Sequence, residues 1–340
     1  MSKKATSVQA IEWKGDRLRV LDQKQLPHRL SYIDCFSSKE VAAAIREMSL
    51  RGAPLIGCAA AYGMALAAKN ESRKKLVAEG NFLRKARPTA VNLSHAIDFM
   101  LSSSIDVPEG LFFKTLTVAA QRYYEKDLAA NRVMASLGAT LLPKKARVIT
   151  YCNAGALATS GIGTSLGVIR RAHQEGKIEE VYACETRPYL QGSRLTLWEL
   201  MMENIPATLI TDNMAAHLMK TTPINAVIVG SDRIASNGDV CNKIGTYALA
   251  ILARHHTVPF YAVAPTSTID FNCRSGKEIP IEERNPDEVL FVSGKNIAPK
   301  GARARHFAFD VTPANLITAL ITEKGVIHSP NRKNLNRISL

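Results

Sequence analysis

The 340-residue chain contains no apolar run near the ~18–20 residues that a membrane-spanning helix requires. No membrane partner is therefore expected. Its six cysteines, Cys35, Cys58, Cys152, Cys184, Cys241 and Cys273, are scattered and show no CxxC spacing. Neither a zinc site nor a disulfide framework is expected from them, and no metal ligands are assigned. The first residues, Met1-Ser2-Lys3-Lys4-Ala5-Thr6, lack the apolar stretch of a signal peptide, which points to a cytoplasmic protein. Aromatic residues make up 6% of the chain, and none interleave with basic residues in the pattern of a known nucleic-acid module. Acidic residues are the other shortage: 30 Asp and Glu face 44 Lys and Arg, a formal charge of +14. The cations recur in short clusters such as Arg73-Lys74-Lys75, Lys144-Lys145 and Arg332-Lys333. That spread describes a solvated basic surface, with a few cations reserved for an anionic substrate, and no specific nucleic-acid partner.

What is present divides the chain in two. Ile11-Glu12-Trp13 and Leu18-Arg19-Val20-Leu21 flank Lys14-Gly15-Asp16 as a hairpin. Helical patterns follow at Lys39–Ser49, with Ser38 as its N-cap, and at Ala59–Ala68, Asn92–Ser103 and Leu111–Leu142. Leu142-Pro143-Lys144-Lys145 breaks the pattern, placing the domain boundary between residues 143 and 144. Beyond it, strands at Arg147–Tyr151, Glu180–Cys184, Ala207–Thr211, Ala226–Val229 and Phe260–Ala264 alternate with helices at Gly163–Gln174, Leu195–Glu203, Asn213–Lys220 and Ile244–Arg254. The expected class is α/β: a small N-terminal α/β domain, residues 1–143, and a doubly wound parallel-sheet domain, residues 144–340.

Every one of those five strands ends in polar residues, which is how a ligand crevice reads in a parallel sheet. The two most informative ends are Cys152-Asn153 after Val148-Ile149 and Asp232-Arg233 after Ala226-Val227-Ile228-Val229. A thiol and a carboxyl group make a pair suited to moving hydrogen on a small molecule. The other five cysteines read as packing residues. Ser160-Gly161-Ile162-Gly163-Thr164-Ser165-Leu166-Gly167 invites a dinucleotide reading, but its spacing is G-x-G-x-x-x-G and it lies well beyond the strand. These glycines instead suit close helix packing and backbone N–H groups aimed at an anion.

Further motifs join these: Arg51-Gly52-Ala53-Pro54, Arg87-Pro88-Thr89-Ala90-Val91-Asn92, Glu185-Thr186-Arg187-Pro188 with Gln191-Gly192, Asn237-Gly238-Asp239 with Asn242-Lys243, and Phe309-Asp310-Val311-Thr312-Pro313. In this order, from about Trp13 to Gly325, they make the chain resemble the methylthioribose-1-phosphate isomerase family. The resemblance implies a Rossmann-like second domain, a homodimer and no cofactor, metal or nucleotide. It makes Cys152 and Asp232 the catalytic pair, and Arg51, Gly52, Ala53, Arg87, Gln191, Asn242 and Lys243 the contacts to a phosphorylated pentose. The implied reaction is aldose-to-ketose isomerisation of 5-methylthioribose 1-phosphate in methionine salvage. Isomerases of 5-deoxyribose 1-phosphate and ribose 1,5-bisphosphate look very similar. So, with a weaker match at the Cys152 motif, do the non-catalytic regulatory subunits of the translation-initiation guanine-nucleotide exchange factor. The chain departs from the family pattern at His306-Phe307, where Asn-Pro is usual.

Overall fold

Two units emerge in the computed structural model, which describes residues 8–69, 72–87 and 91–339. The first is Met1–Val133 with Ala154–Gly167, and the second is Met134–Asn153 with Val168–Leu340. This division differs from a boundary at 143/144. Phe112–Thr140 is one unbroken helix, so Pro143 ends a helix rather than starting a separate body, and the chain returns to the first unit after Asn153.

In the first unit, β1 (Ile11–Trp13), β2 (Leu18–Leu21) and β3 (Tyr32–Cys35) form an antiparallel sheet in that order. The expected hairpin is present, and Gly15 supplies its positive φ of 89°. Helices α1 (Ser38–Arg46), α2 (Ala53–Ala67), α3 (Arg73–Arg84), α4 (Val91–Ser102) and α5 (Phe112–Thr140) follow. The N-cap of α1 is Ser37, not Ser38, because Ser37 stands three residues before Glu40 and the two close a capping box. Helix α2 starts six residues earlier than its apolar pattern suggests. Pro54, pre-set for the first turn, and Gly52 at φ 94° set the true start. Almost all of α2 is buried, as its all-round apolar sequence requires.

The second unit carries β4 (Ala146–Thr150), α6 (Ser165–Gln174, which begins in the first unit), β5 (Ile178–Cys184), α7 (Leu197–Met202), β6 (Ala207–Ile210), α8 (Ala215–Thr221) and β7 (Ala226–Val229). It continues through β8 (Arg233–Ala235), β9 (Val240–Lys243), α9 (Thr246–His255), β10 (Phe260–Val263) and β11 (Ile269–Asp270). Then come α10 (Asp287–Leu290), the hairpin β12 (Phe291–Val292) and β13 (Lys295–Asn296), β14 (Phe309–Thr312), β15 (Ala319–Thr322), β16 (Gly325–His328) and α11 (Arg332–Ser339).

Seven strands make the main sheet in the order β16-β15-β10-β7-β4-β5-β6, parallel throughout except at the β15–β16 edge. All four residues of β7 are buried, as a continuous apolar run in a covered parallel sheet should be. From β4 the chain steps outward to β5 and β6, then returns to lay β7 on β4's other side. The direction of winding therefore reverses between β4 and β7, the place where doubly wound sheets open a crevice. A second sheet, β11-β8-β9-β14, was not legible in the sequence.

Candidate active site

Cys152 leaves the carboxyl end of β4 in the left-handed region, at φ 61°. A non-glycine residue holds that conformation at a cost of roughly 1–3 kcal/mol, so its surroundings must enforce it. They do so at both ends. The Cys152 N–H donates to Thr186 Oγ1 at 2.8 Å, and the Cys152 carbonyl accepts from Thr196 Oγ1 at 2.5 Å. Both threonines belong to the one segment that folds back from the end of β5. Gly192 permits that fold, since a Cβ there would lie 1.6 Å from the Cys184 carbonyl oxygen. Thr186 is itself left-handed at φ 64°, and Asp212 fixes it by accepting the Thr186 and Arg187 N–H groups at 2.8 and 2.7 Å.

Burial outweighs these donors and the Tyr151 hydroxyl, raising the Asp212 carboxyl above the usual carboxylate range. Beneath the segment, Asn153 Nδ2 donates to Thr196 Oγ1 at 3.1 Å and to Glu199 Oε1 at 2.8 Å. Glu199 pairs with buried Arg170 at 2.7 Å, and Arg170 also holds Glu203 at 2.6 Å. Cys152 is half-buried, whereas the other five cysteines are buried, in keeping with their packing role.

Asp232 leaves β7, which pairs directly with β4 through Thr150 and Ile228. The two candidate catalytic residues thus stand at the ends of neighbouring parallel strands. The Asp232 N–H donates to the Cys241 carbonyl at 2.9 Å, tying it to β9. Arg233, which would oppose protonation of Asp232 if both faced one way, is instead engaged by Asp270, with Nε at 3.1 Å.

Asn242 and Lys243 lie on β9, opposite Asp310 and Phe309 of β14. Buried Lys243 donates to the Ala308 carbonyl at 2.7 Å, and its Nζ lies 4.4 Å from the centre of the Phe309 ring. Asn242 Nδ2 donates to Thr246 Oγ1 at 3.0 Å. Asp310 accepts the Gly245 and Tyr247 N–H groups, and burial still pushes its carboxyl up to about 6. His306 is buried with Nδ1 2.9 Å from Glu288, and burial holds its imidazole below the usual value despite that carboxylate. Gln191 is 3% exposed, and its Oε1 finds no donor among the described residues. A buried unpaired acceptor is costly, and a ligand hydroxyl would relieve it.

In the first unit, buried Arg51 donates to Gln23 Oε1 at 3.1 Å, and Gln23 donates to the Leu157 carbonyl at 2.7 Å. Gly52 lies so close to the 154–167 loop that a Cβ would meet Ala158 Cα at 2.5 Å. Ala53 opens α2 beside it. The glycine loop is pinned to α5 by Ser160, whose N–H and hydroxyl reach Asp127 at 3.0 and 2.5 Å. Arg87 is half-buried with Nη1 3.6 Å from Met48 Sδ, while Pro88-Thr89-Ala90 of its motif lie outside the described residues. No group of three or more His, Cys, Asp or Glu among the described residues is arranged to hold a metal ion. No helix among them is long and apolar enough to cross a membrane. The residues that sequence reasoning left without a role are Thr186, Thr196, Asp212 and Asp310. Thr186, Asp212 and Asp310 were marked only by their place at polar strand ends or within the quoted motifs, and Thr196, inside the expected helix Leu195–Glu203, by nothing.

Residues 49–329 match the initiation factor 2 subunit family. A methylthioribose-1-phosphate isomerase of Desulforamulus reducens is 50% identical over 339 residues, 97% of this chain and 98% of the relative. The chain belongs to the methylthioribose-1-phosphate isomerases of the initiation factor 2 subunit family. Among solved structures, the 5-methylthioribose 1-phosphate isomerase of Pyrococcus horikoshii is similar to it with a TM-score of 0.92 at 39% identity, covering 100% of this chain and 98% of that one. A structure titled translation initiation factor eIF-2B, subunit delta, from A. fulgidus has a TM-score of 0.87 at 43% identity, covering 98% and 99%.

Proposed function

We propose that this protein converts 5-methylthioribose 1-phosphate, an aldose, to 5-methylthioribulose 1-phosphate, its ketose, with Cys152 and Asp232 as the catalytic pair. Isomerase relatives about 50% identical over nearly the full length support the reaction. The observation that carries the site is the placement of Cys152 and Asp232 beyond the paired ends of β4 and β7. An anomeric phosphate ester blocks the free ring opening available to an ordinary aldose. The enzyme must therefore assist cleavage of the bond between C1 and the ring oxygen. In this reading the Asp232 carboxyl gives its proton to that oxygen, a hydrogen leaves C2 for C1, and the C2 hydroxyl proton departs as the carbonyl forms. In one route the Cys152 thiolate takes the C2 proton, giving an enol whose C1 oxygen still carries the phosphate. The thiol then returns a proton to C1 while the Asp232 carboxylate takes back the C2 hydroxyl proton. If the hydrogen crosses as hydride, Cys152 takes only the hydroxyl proton. Substrate deuterated at C2 separates the routes: washout into water marks the first, retention at C1 the second.

Arg51 and Arg87 suit phosphate through their fixed donor forks, Lys243 adds a point charge, and Gln191 and Asn242 suit sugar hydroxyls. Gly52 and Ala53 lend backbone at the start of α2. The reading also includes a homodimer, a cytoplasmic location and no cofactor. The decisive assay compares kcat/KM on 5-methylthioribose 1-phosphate, 5-deoxyribose 1-phosphate and ribose 1,5-bisphosphate. The methylthio sugar is expected to be best, with partial activity on the deoxy sugar, since one apolar substituent is worth only ~1–3 kcal/mol. A preference of about a hundredfold for the deoxy sugar overturns the substrate and leaves the reaction type. No turnover of any of the three returns the chain to a non-catalytic role.

A further inference from the structure

The left-handed turn at Cys152 is clamped by two hydroxyls. We infer that Thr186 and Thr196 are positioning residues for the isomerisation, holding the Cys152 thiol in its working direction through its own peptide groups; this rests on the proposed role of Cys152. Thr186 Oγ1 accepts the Cys152 N–H at 2.8 Å and donates to the Cys184 carbonyl at 3.1 Å, bridging the ends of β4 and β5. Thr196 Oγ1 donates to the Cys152 carbonyl at 2.5 Å and accepts from Asn153. The two residues are fully buried and ten positions apart, and the segment joining them closes on itself, Leu190 N–H donating to the Thr186 carbonyl at 2.8 Å.

Each hydroxyl has both a donor and an acceptor role, so a same-shaped valine cannot replace either, whereas serine can. The peptide on each side of Cys152 is thereby fixed. With φ held at 61°, the Cα–Cβ bond can point in only one direction from the strand end. Losing either hydroxyl frees the turn to relax toward ordinary φ values and swings the thiol away from the reacting carbon. A misplacement of about 1 Å is worth ~10²-fold in rate.

The test compares Thr186→Val, Thr186→Ser, Thr196→Val and Thr196→Ser with wild type and Cys152→Ala. Each is measured for kcat, KM, melting temperature and the pH midpoint of iodoacetamide alkylation at Cys152, followed by peptide mass. The valine variants are expected to lose at least ~20-fold in kcat with KM within about threefold, and the serine variants to recover to within about threefold. The alkylation midpoint should move by more than about half a unit in the valine variants and return in the serine variants. Should Thr186→Val fail to fold, Thr196→Val and the serine pair still decide. Valine variants that melt lower yet keep kcat and alkylation midpoint near wild type overturn the inference. So do serine variants as impaired as the valine ones. An active Cys152→Ala protein would instead sink the role of Cys152, and the alkylation midpoints would still report whether the threonines control the thiol.

Discussion

The ends of β4 and β7 lie side by side and are built by opposite means. At β4, Cys152 sits in an unfavourable backbone conformation that side-chain hydroxyls, Asn153 and a buried Arg170–Glu199–Glu203 cluster enforce. At β7, the Asp232 N–H bonds the Cys241 carbonyl, and β8 pairs with β9, which pairs in turn with β14. The first arrangement depends on individual side chains and is sensitive to single substitutions. The second adds a backbone ladder, to which the Ser231 hydroxyl and the Arg233–Asp270 pair contribute. The thiol end should therefore fail readily through its supports, and the carboxyl end chiefly through the carboxyl itself.

The largest expected effect removes that carboxyl. Asp232→Asn keeps the shape and the backbone ladder, so the protein should melt near wild type while kcat falls by ~10²–10⁴. A comparable fall in melting temperature would mean that side-chain contacts hold the β7 end after all. Next comes the ion cluster under Cys152. Arg170→Met leaves two carboxylates, one of them fully buried, and should destabilise the fold by ~3–5 kcal/mol in denaturant titration. A loss below about 1 kcal/mol would show that the β4 end does not rest on this cluster.

Gly245 links the β4 end to β14. It lies at φ 100°, its N–H bonds Asp310, and a Cβ there would come 2.1 Å from Tyr151 Oη, just before Cys152. Gly245→Ala should cost at least about 2 kcal/mol, from the left-handed strain and the displaced tyrosine together. The smallest effect is a pH dependence. The folded-state value of Asp310, about 6, lies above the ordinary 3.8, so the folded protein holds that proton more tightly. Its stabilisation is complete below about pH 4 and is lost as pH rises through about 6. The stability advantage of wild type over Asp310→Asn should be greatest near pH 4 and shrink by pH 7. A constant difference across that window would contradict the burial of Asp310 as its cause.

The same contrast governs what could be read from sequence. The parallel strands are short, mostly apolar runs bounded by turn signals, and the reading delimits Ala226–Val229 to the residue and the other four to within one or two residues. The polar ends located Cys152 and Asp232 because doubly wound sheets put ligands there. The second sheet was hidden. Its strands are two to four residues long, and β9 contains Asn242 and Lys243, residue types that strands disfavour. The roles of Thr186 and Thr196 were hidden for a different reason. They depend on positive φ at Cys152 and Thr186, which nothing in a non-glycine sequence announces. Neither could local pattern show that residues 154–167 return to the first unit, since that depends on packing against Gly52 and Asp127.

The central claim is that the Cys152 thiol moves hydrogen in the isomerisation, and its removal tests this most directly. Cys152→Ala keeps a small side chain at the left-handed turn and leaves both threonine hydrogen bonds to the backbone possible. Turnover of 5-methylthioribose 1-phosphate by the folded variant, checked by its thermal melt, is expected to fall by at least ~10³-fold while substrate still binds. A folded Cys152→Ala protein that keeps more than about a tenth of wild-type kcat would contradict the account.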